Sequence, residues 1–582
     1  MKRAAVVIGV DKTGGLPKLN DAAKGARRFA KWARTQGVDP VKVITDQRAK
    51  VTIGKVKDAV KNIVNKGNVE QLLVYFAGHG VNIRYSEYWL LSDAPDDPDE
   101  AVNVRGSALL AAYCGIPHVI LISDACRTAA DGIQAQFVTG GQIFPNEGGG
   151  GLEQPVDQFF ACTLGRPAHE LKNPAITTNE YKALYTGVLL DSLQGTPNTV
   201  IDWADDSTGF VRPRKLKQHL YDEVTQEIAR LGLQTKIIQV PDARITSDSN
   251  TWLAKLKKAD VKPPRRTRSG RARVSVPDSP VAVSQALLDS ALDGEAADQI
   301  VDSVRLRNVA PGGSDDLSTT LISAAAPFGP MHHETQCGFK IRGALFTKAY
   351  SKGARVEEPD QPIDDLRVQV NNGPYASVLL TLDTGAAIVL PAISEFLCAL
   401  TIDDGELVDV AYEPSANSHR WSMFEQRAAE VRTLRAVASS STLNGVFRLD
   451  QKDALKLARQ MQYAKSVDPA LAVYAAYAYQ DLQRTDLIKK MCGYMRGDIG
   501  ARFFDLALLA GELRDTKIGS DPAVMGFVPL LAQGWAQLAA HRVRFPRPFD
   551  GMERYLLNSP WTMFNPEGAA LIHKALKQGV VL

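Results

Sequence analysis

Leu72-Leu73-Val74-Tyr75-Phe76-Ala77-Gly78-His79-Gly80 and Val119-Ile120-Leu121-Ile122-Ser123-Asp124-Ala125-Cys126-Arg127 decide how this chain folds. Each is a short apolar run, rich in branched and aromatic side chains, and each ends in a group able to do chemistry. Such runs read as strands buried on both faces of a sheet. Each delivers its last side chain, His79 or Cys126, to the carboxyl edge, where open α/β sheets hold their active sites. An imidazole and a thiol 47 residues apart at two strand tips point to a cysteine nucleophile beside a histidine base.

Outward from these runs, residues 1–256 alternate strand and helix signals. Ala4–Val10 and Val41–Thr45 read as strands. Asn20 to Gln36 reads as a helix stopped by Gly37, and Thr52 caps a helix reaching about Lys66. Tyr88–Leu91 is a short strand, Ser107 to Tyr113 a helix, and Val156–Thr163 a strand. Tyr181–Leu193 and Pro213–Leu231 are helices, and Thr235–Val240 is a last strand. This alternation predicts a mostly parallel sheet with helices on both faces. A basic linker follows at 257–283, with five arginines between Lys262 and Arg273. Residues 284–415 read as an α+β, β-rich accessory domain, helical over about 284–307 and β from about Thr335. Leu397–Ile402 and Leu407–Tyr412 flank the hairpin signal Asp403-Asp404-Gly405. Residues 416–582 read as an α-helical domain, with helices expected at Ala470–Leu482, Phe503–Leu513 and Phe527–Ala540. The fold class is therefore multidomain: α/β, then β-rich, then α-helical.

At 582 residues the chain is too long for one core. A net charge of +3 makes no electrostatic case for nucleic acid, so none is expected as a partner. No apolar run approaches the ~18 residues of a membrane helix, so no membrane is expected either. Met1-Lys2-Arg3 runs straight into the first strand, so no signal peptide is expected. Six cysteines, at 114, 126, 162, 337, 398 and 492, form no close-spaced framework, which fits a reducing cytoplasm.

The His-Gly after the first run and the Asp-x-Cys-Arg closing the second resemble the catalytic motifs of caspase-like cysteine peptidases, the caspase, metacaspase and paracaspase group. The resemblance covers roughly residues 1–256. It implies a Cys126–His79 dyad, with the backbone N–H groups of Cys126 and Gly80 as oxyanion donors. Gly80 suits that role physically, because a residue without a side chain lets a substrate carbonyl approach. His118 is a competing histidine, but it begins its strand at the opposite edge. His169 is a loop alternative.

Asp124 lies two residues before Cys126, so strand alternation points it to the same side. A carboxylate there disfavours ionising the thiol, a cost with a use if it faces a cationic substrate group. Caspases that cut after Asp have Gln at this position; metacaspases and paracaspases, which cut after Arg or Lys, have Asp. Leu19-Asn20-Asp21-Ala22 is similar to the Asn-Asp of metacaspases, whose aspartate lines the S1 pocket. The resemblance thus implies that Asp124 and Asp21 bind a P1 guanidinium or ammonium. The alternative for Asp21 is a helix N-cap or first-turn acid. Ala77 departs from the serine that often lines that pocket in metacaspases.

No cofactor is expected to be required. Asp93, Asp96, Asp97, Asp99 and Glu100 read as a solvated loop, with calcium the weaker alternative because many metacaspases need it. His332-His333 and Cys337 lack a suitably spaced fourth ligand, so no metal site is expected. The loop 128–158 contains no Lys or Arg, so an Arg-directed enzyme would stay a single chain there, whereas the arginine-rich linker is open to self-cleavage. The expected partner is a protein or peptide substrate, with a regulatory protein bound through 284–582 as a further expectation. Bacterial relatives often carry extra modules in defence or cell-death systems. Two other readings stay open: a caspase-like interaction module in which binding outweighs proteolysis, and an unrelated α/β thiol hydrolase with a closed apolar pocket.

Overall fold

The two apolar runs become neighbours in the middle of one sheet. In chain order its elements are β1 (Arg3–Gly9), α1 (Ala22–Thr35), β2 (Val41–Thr45), α2 (Ile53–Val64) and β3 (Gln71–Gly78). A side sheet takes β4 (Gly80–Ile83), β5 (Ser86–Leu90) and β6 (Ala101–Asn103), and α3 (Val104–Ala111) leads back to β7 (His118–Ala125). β8 (Thr128–Ala129) joins β4 in the side sheet, while β9 (Val156–Phe160) and β12 (Asp242–Arg244) extend the main one. The main order is β12-β9-β7-β3-β1-β2, parallel except for β12. β10 (Ile201–Trp203), β11 (Thr208–Val211) and β13 (Ala254–Lys257) form a small antiparallel sheet.

The chain steps from β1 outward to β2, then back past β1 to β3. Right-handed crossovers in opposite directions place α1 and α2 on opposite faces. α1 buries Ala26, Phe29 and Ala33 against Ala5, Val7, Leu73, Tyr75 and Ile120. Gly9 permits the close approach of its first turn: a Cβ there would lie 2.8 Å from both Ala23 Cα and Ala26 Cβ.

The computed structural model describes residues 1–16, 18–19, 21–83, 86–125, 128–129, 138–146, 152–161, 185–230, 241–258, 337–357, 359–442 and 454–580. The expected strand Thr235–Val240, the linker arginines and the helix at 284–307 lie outside them. The described residues fall into two compact units, Met1–Val276 and Pro277–Leu582.

In the second unit, β14 (Gly338–Arg342), β15 (Phe346–Tyr350), β16 (Ala354–Val356), β17 (Asp365–Val370), β18 (Tyr375–Leu382), β19 (Ala387–Ile393), β20 (Phe396–Asp403) and β21 (Glu406–Pro414) form two sheets, β16-β17-β14-β20-β21 and β15-β18-β19. The expected hairpin forms: β20 (Phe396–Asp403) meets β21 (Glu406–Pro414), with positive φ at both Asp404 and Gly405. Two expectations need correction. Residues 416–582 do not close a core of their own: one core includes Phe339, Leu390 and Leu400 of the strands with Leu434, Leu457 and Tyr474 of the helices. Phe527–Ala540 is not one helix, and only Ala532–Gly534 and Trp535–Leu538 turn helically. Pro529 cannot continue an α-helical ladder, and the Asp505 carboxylate accepts the Leu530 and Leu531 amides at 2.7 and 3.2 Å, which satisfies extended backbone instead.

Arg435, in the helix Trp421–Thr442, ties this unit together by bonding Asp468 at 2.5 Å and Glu413 at 2.8 Å, all three buried. Burial raises the Asp468 carboxyl pKa, and the guanidinium works against that rise. Arg435→Ala leaves two carboxylates buried without their cation. The expected loss is about 3–5 kcal/mol, read from the denaturation midpoint of the second unit.

Candidate active site

The carboxyl ends of β1, β3 and β7 stand level: Gly9 pairs with Ala77, and Ala77 with Asp124. One step further, Gly78 pairs with Ala125. The same two chain segments pair again after the main sheet ends, because β4 runs parallel to β8 with Val81 opposite Thr128. Both pairings have an offset of 47 residues, the offset between positions 79 and 126. Cys126 itself lies outside the described residues. His79 is half-buried, and its carbonyl accepts the Leu90 amide at 2.9 Å. That bond makes 79/90 a hydrogen-bonded pair of the antiparallel β4–β5 ribbon. Gly80 opposite Trp89 is then the non-bonded pair, and its N–H is directed away from β5.

The hairpin that carries Gly80 is fixed to β7 by a buried polar knot. Ser123 Oγ donates to Glu87 at 2.5 Å, and the Trp89 indole N–H bonds Ser123 Oγ at 2.9 Å. Phe76 stacks on Trp89 with ring centroids 4.9 Å apart.

Asp124 lies on the opposite side of β7 from Ser123 and is 2% exposed. Its Oδ2 accepts the Tyr75 hydroxyl at 3.3 Å and also the Thr186 hydroxyl. Tyr75 stacks on Phe29 at 4.5 Å, and burial first, then the Asp124 charge, holds its phenol well above the ordinary value, so it stays a donor. Ala77 is buried and level with Asp124. Asp21 stands at the N-cap of α1 without a side-chain capping bond, and pairs with Lys24 at 3.3 Å. The carboxylate that does cap α1 is Asp11, whose Oδ1 accepts the Ala23 amide at 3.0 Å. Burial raises the Asp11 pKa, the neighbouring Asp46 adds to the rise, and the Ala23 amide opposes it. Tyr75, Thr186 and Asp11 escape a sequence reading. Only Asp11, just beyond the tip of β1, carries a positional hint.

His118 sits at the amino end of β7, ~23 Å along the strand from its tip at ~3.3 Å per residue. Its Nε2 bonds Asp157 at 2.9 Å and its Nδ1 meets the Gln71 amide at 3.0 Å, so it ties the far edge of the sheet. His169 lies outside the described residues. Among the described cysteines, burial raises the thiol pKa of Cys114, pushes Cys337 and Cys492 up to about 12, and holds Cys398 well above the ordinary value. Thiols so placed are poor nucleophiles. In the acidic stretch, Asp93 pairs with Lys50 at 2.5 Å and Glu100 accepts the Ile53 amide at 2.8 Å. No group of three metal-binding side chains occurs among the described residues. His332 and His333 lie outside them.

Residues 2–242 match the family model of the caspase domain. The chain carries a caspase-like peptidase domain. A caspase domain is in general a cysteine peptidase, a hydrolase of protein substrates. Among solved structures, the Drosophila initiator caspase Dronc is 10% identical with a TM-score of 0.26, over 41% of this chain and 78% of that one. Caspase-1 from Spodoptera frugiperda is 12% identical with a TM-score of 0.28, over 46% and 92%. No curated protein matches. Among the described residues, no helix is long and apolar enough to cross a membrane.

The Asp124 carboxylate depends on its hydroxyl donors. Tyr75→Phe keeps the ring stack and removes one of them, so urea titration is expected to show a loss of about 1–3 kcal/mol. An unchanged midpoint contradicts that dependence.

Proposed function

We propose that this chain is a cysteine endopeptidase in which Cys126 is the nucleophile and His79 the base, cleaving after Arg or Lys. The observation that carries the proposal is the constant 47-residue offset of the pairings on either side of positions 79 and 126. Segments in matching register before and after a pair of residues favour their meeting. The Cys126 sulfur attacks the scissile carbonyl carbon as its proton passes to the His79 imidazole. The backbone N–H groups of Gly80 and Cys126 hold the oxyanion. His79 then protonates the leaving amine, and water hydrolyses the thioester. The elevated thiol pKa values disfavour the four described cysteines as nucleophiles, which leaves Cys126 and Cys162, and of these Cys126 has the matched offset to His79.

The Arg or Lys preference rests on Asp124, with Asp21 in support. Two hydroxyls, of Tyr75 and Thr186, orient the Asp124 carboxylate at the tip of β7, level with Ala77. A guanidinium is the cation whose fork fits such an acceptor best. The second unit is read as regulatory or partner-binding, in a defence or cell-death setting. Calcium stays a secondary proposal, and a reducing cytoplasm is the compartment the free thiol needs.

A peptide library varied at P1, run with and without calcium, tests the core of this reading. Wild type is expected to cleave after Arg and Lys, and Cys126→Ala or His79→Ala to lose roughly 10³-fold or more in kcat/KM. Hydrolysis after Asp but not after Arg overturns the pocket assignment. Full biological activity in Cys126→Ala favours the interaction module. For the linker, wild type but not Cys126→Ala is expected to yield two fragments divided within residues 262–273. Identical gel patterns under conditions that support peptide cleavage remove self-processing.

A further inference from the structure

The outer edge of the sheet, away from the candidate dyad, carries a second binding feature. Among the described residues β2 has a single neighbour, β1. The Ala5 amide donates to the Pro40 carbonyl, and the Asp46 amide to the Gly9 carbonyl. In a parallel ladder the bonding residues alternate, so even-numbered positions face β1. The amides and carbonyls of Val41, Val43 and Thr45 therefore face outward.

A groove of about 660 Å³ runs along this edge, lined by Lys42 to Thr45 of the strand, Arg27 of α1 and Lys55 of α2. The helices lie on opposite faces, so they flank the edge as two walls. Arg27 donates to the neutral Gln47 side chain at 2.5 Å, and Lys55 to the Lys50 carbonyl at 2.6 Å, so both keep their charge. Lys42 and Arg48 form no ion pair among the described residues. Lys50 is matched by Asp93. Four uncompensated cations thus face one carboxylate, Asp58, among the lining residues.

We propose that this groove binds an extended acidic segment of a partner protein, which adds as a strand to β2 while its carboxylates meet Arg27, Lys42, Arg48 and Lys55. Strand addition supplies affinity through main-chain bonds and leaves side chains to specify the ligand. The lining holds no aromatic ring on which a base could stack, which disfavours single-stranded nucleic acid. Charges placed only to keep an edge from aggregating need no surrounding groove; this edge has one, walled on both sides. The site is independent of the dyad and of P1 preference.

The test is fluorescence anisotropy of the full chain with a labelled eight-residue peptide alternating valine with glutamate or aspartate. The peptide contains no Arg or Lys and is not a substrate under the proposed specificity. Saturable binding is expected, weakened about tenfold or more by Lys42→Glu with Arg48→Glu. Methylating alternate peptide amides is expected to weaken it similarly, as is Val43→Pro, which removes an outward N–H and no bond to β1. Should Val43→Pro lower the melting temperature, the methylated peptide on wild type gives the same answer. Binding that ignores methylation marks a general polyanion patch and overturns strand addition. Absence of saturable binding, or equal binding of a glutamine-for-acid control peptide, overturns the site altogether.

Discussion

Parallel register between two stretches of chain is the constraint on which the catalytic half depends. Main-chain hydrogen bonds hold Gly78 level with Ala125 and, after the strands leave the main sheet, hold Val81 level with Thr128. A slip of one residue would turn every side chain of β7 to the other face. Asp124 would then lose Tyr75, and Ser123 would lose Glu87. Burial of both strands makes such a slip costly, because Ser123 and Asp124 would lose their polar partners inside the core. The same packing that stabilises the sheet therefore sets the alignment of its chemically active edge.

Two polar clusters then complete that edge from opposite faces. On one, Glu87, Ser123 and Trp89 fasten the hairpin that carries Gly80. On the other, Tyr75 and Thr186 hold Asp124. Each gives one oxygen of a buried carboxylate its neutral donors, a cheaper solution in a core than a full ion pair. The second unit uses the costlier option at Arg435, where one cation answers two carboxylates and so joins strand, helix and loop at a single point.

Much of the fold was legible in the sequence because its signals are local. Continuous branched and aromatic runs mark β3 and β7, and Asp404-Gly405 marks a turn with two positive φ angles. What escaped depends on distant partners. Thr186 reaches Asp124 across 62 residues, and no pattern near either announces it. The 527–540 stretch has the apolar spacing of a helix, but Asp505 captures its amides 25 and 26 residues away. The strand and helix segments of the second unit share one core, which a boundary drawn from local periodicity cannot reveal. At the candidate site, His79 directly follows β3 and Asp124 stands near the end of β7, as the ends of the two apolar runs indicate. Asp21 stands at the start of α1, in the position of its structural alternative, without the capping bond that alternative called for.

Each unit buries its own apolar core. Severing the chain between them would thus melt neither. It would change only concentration: two bodies held at the high effective molarity of a tether would become separate solutes.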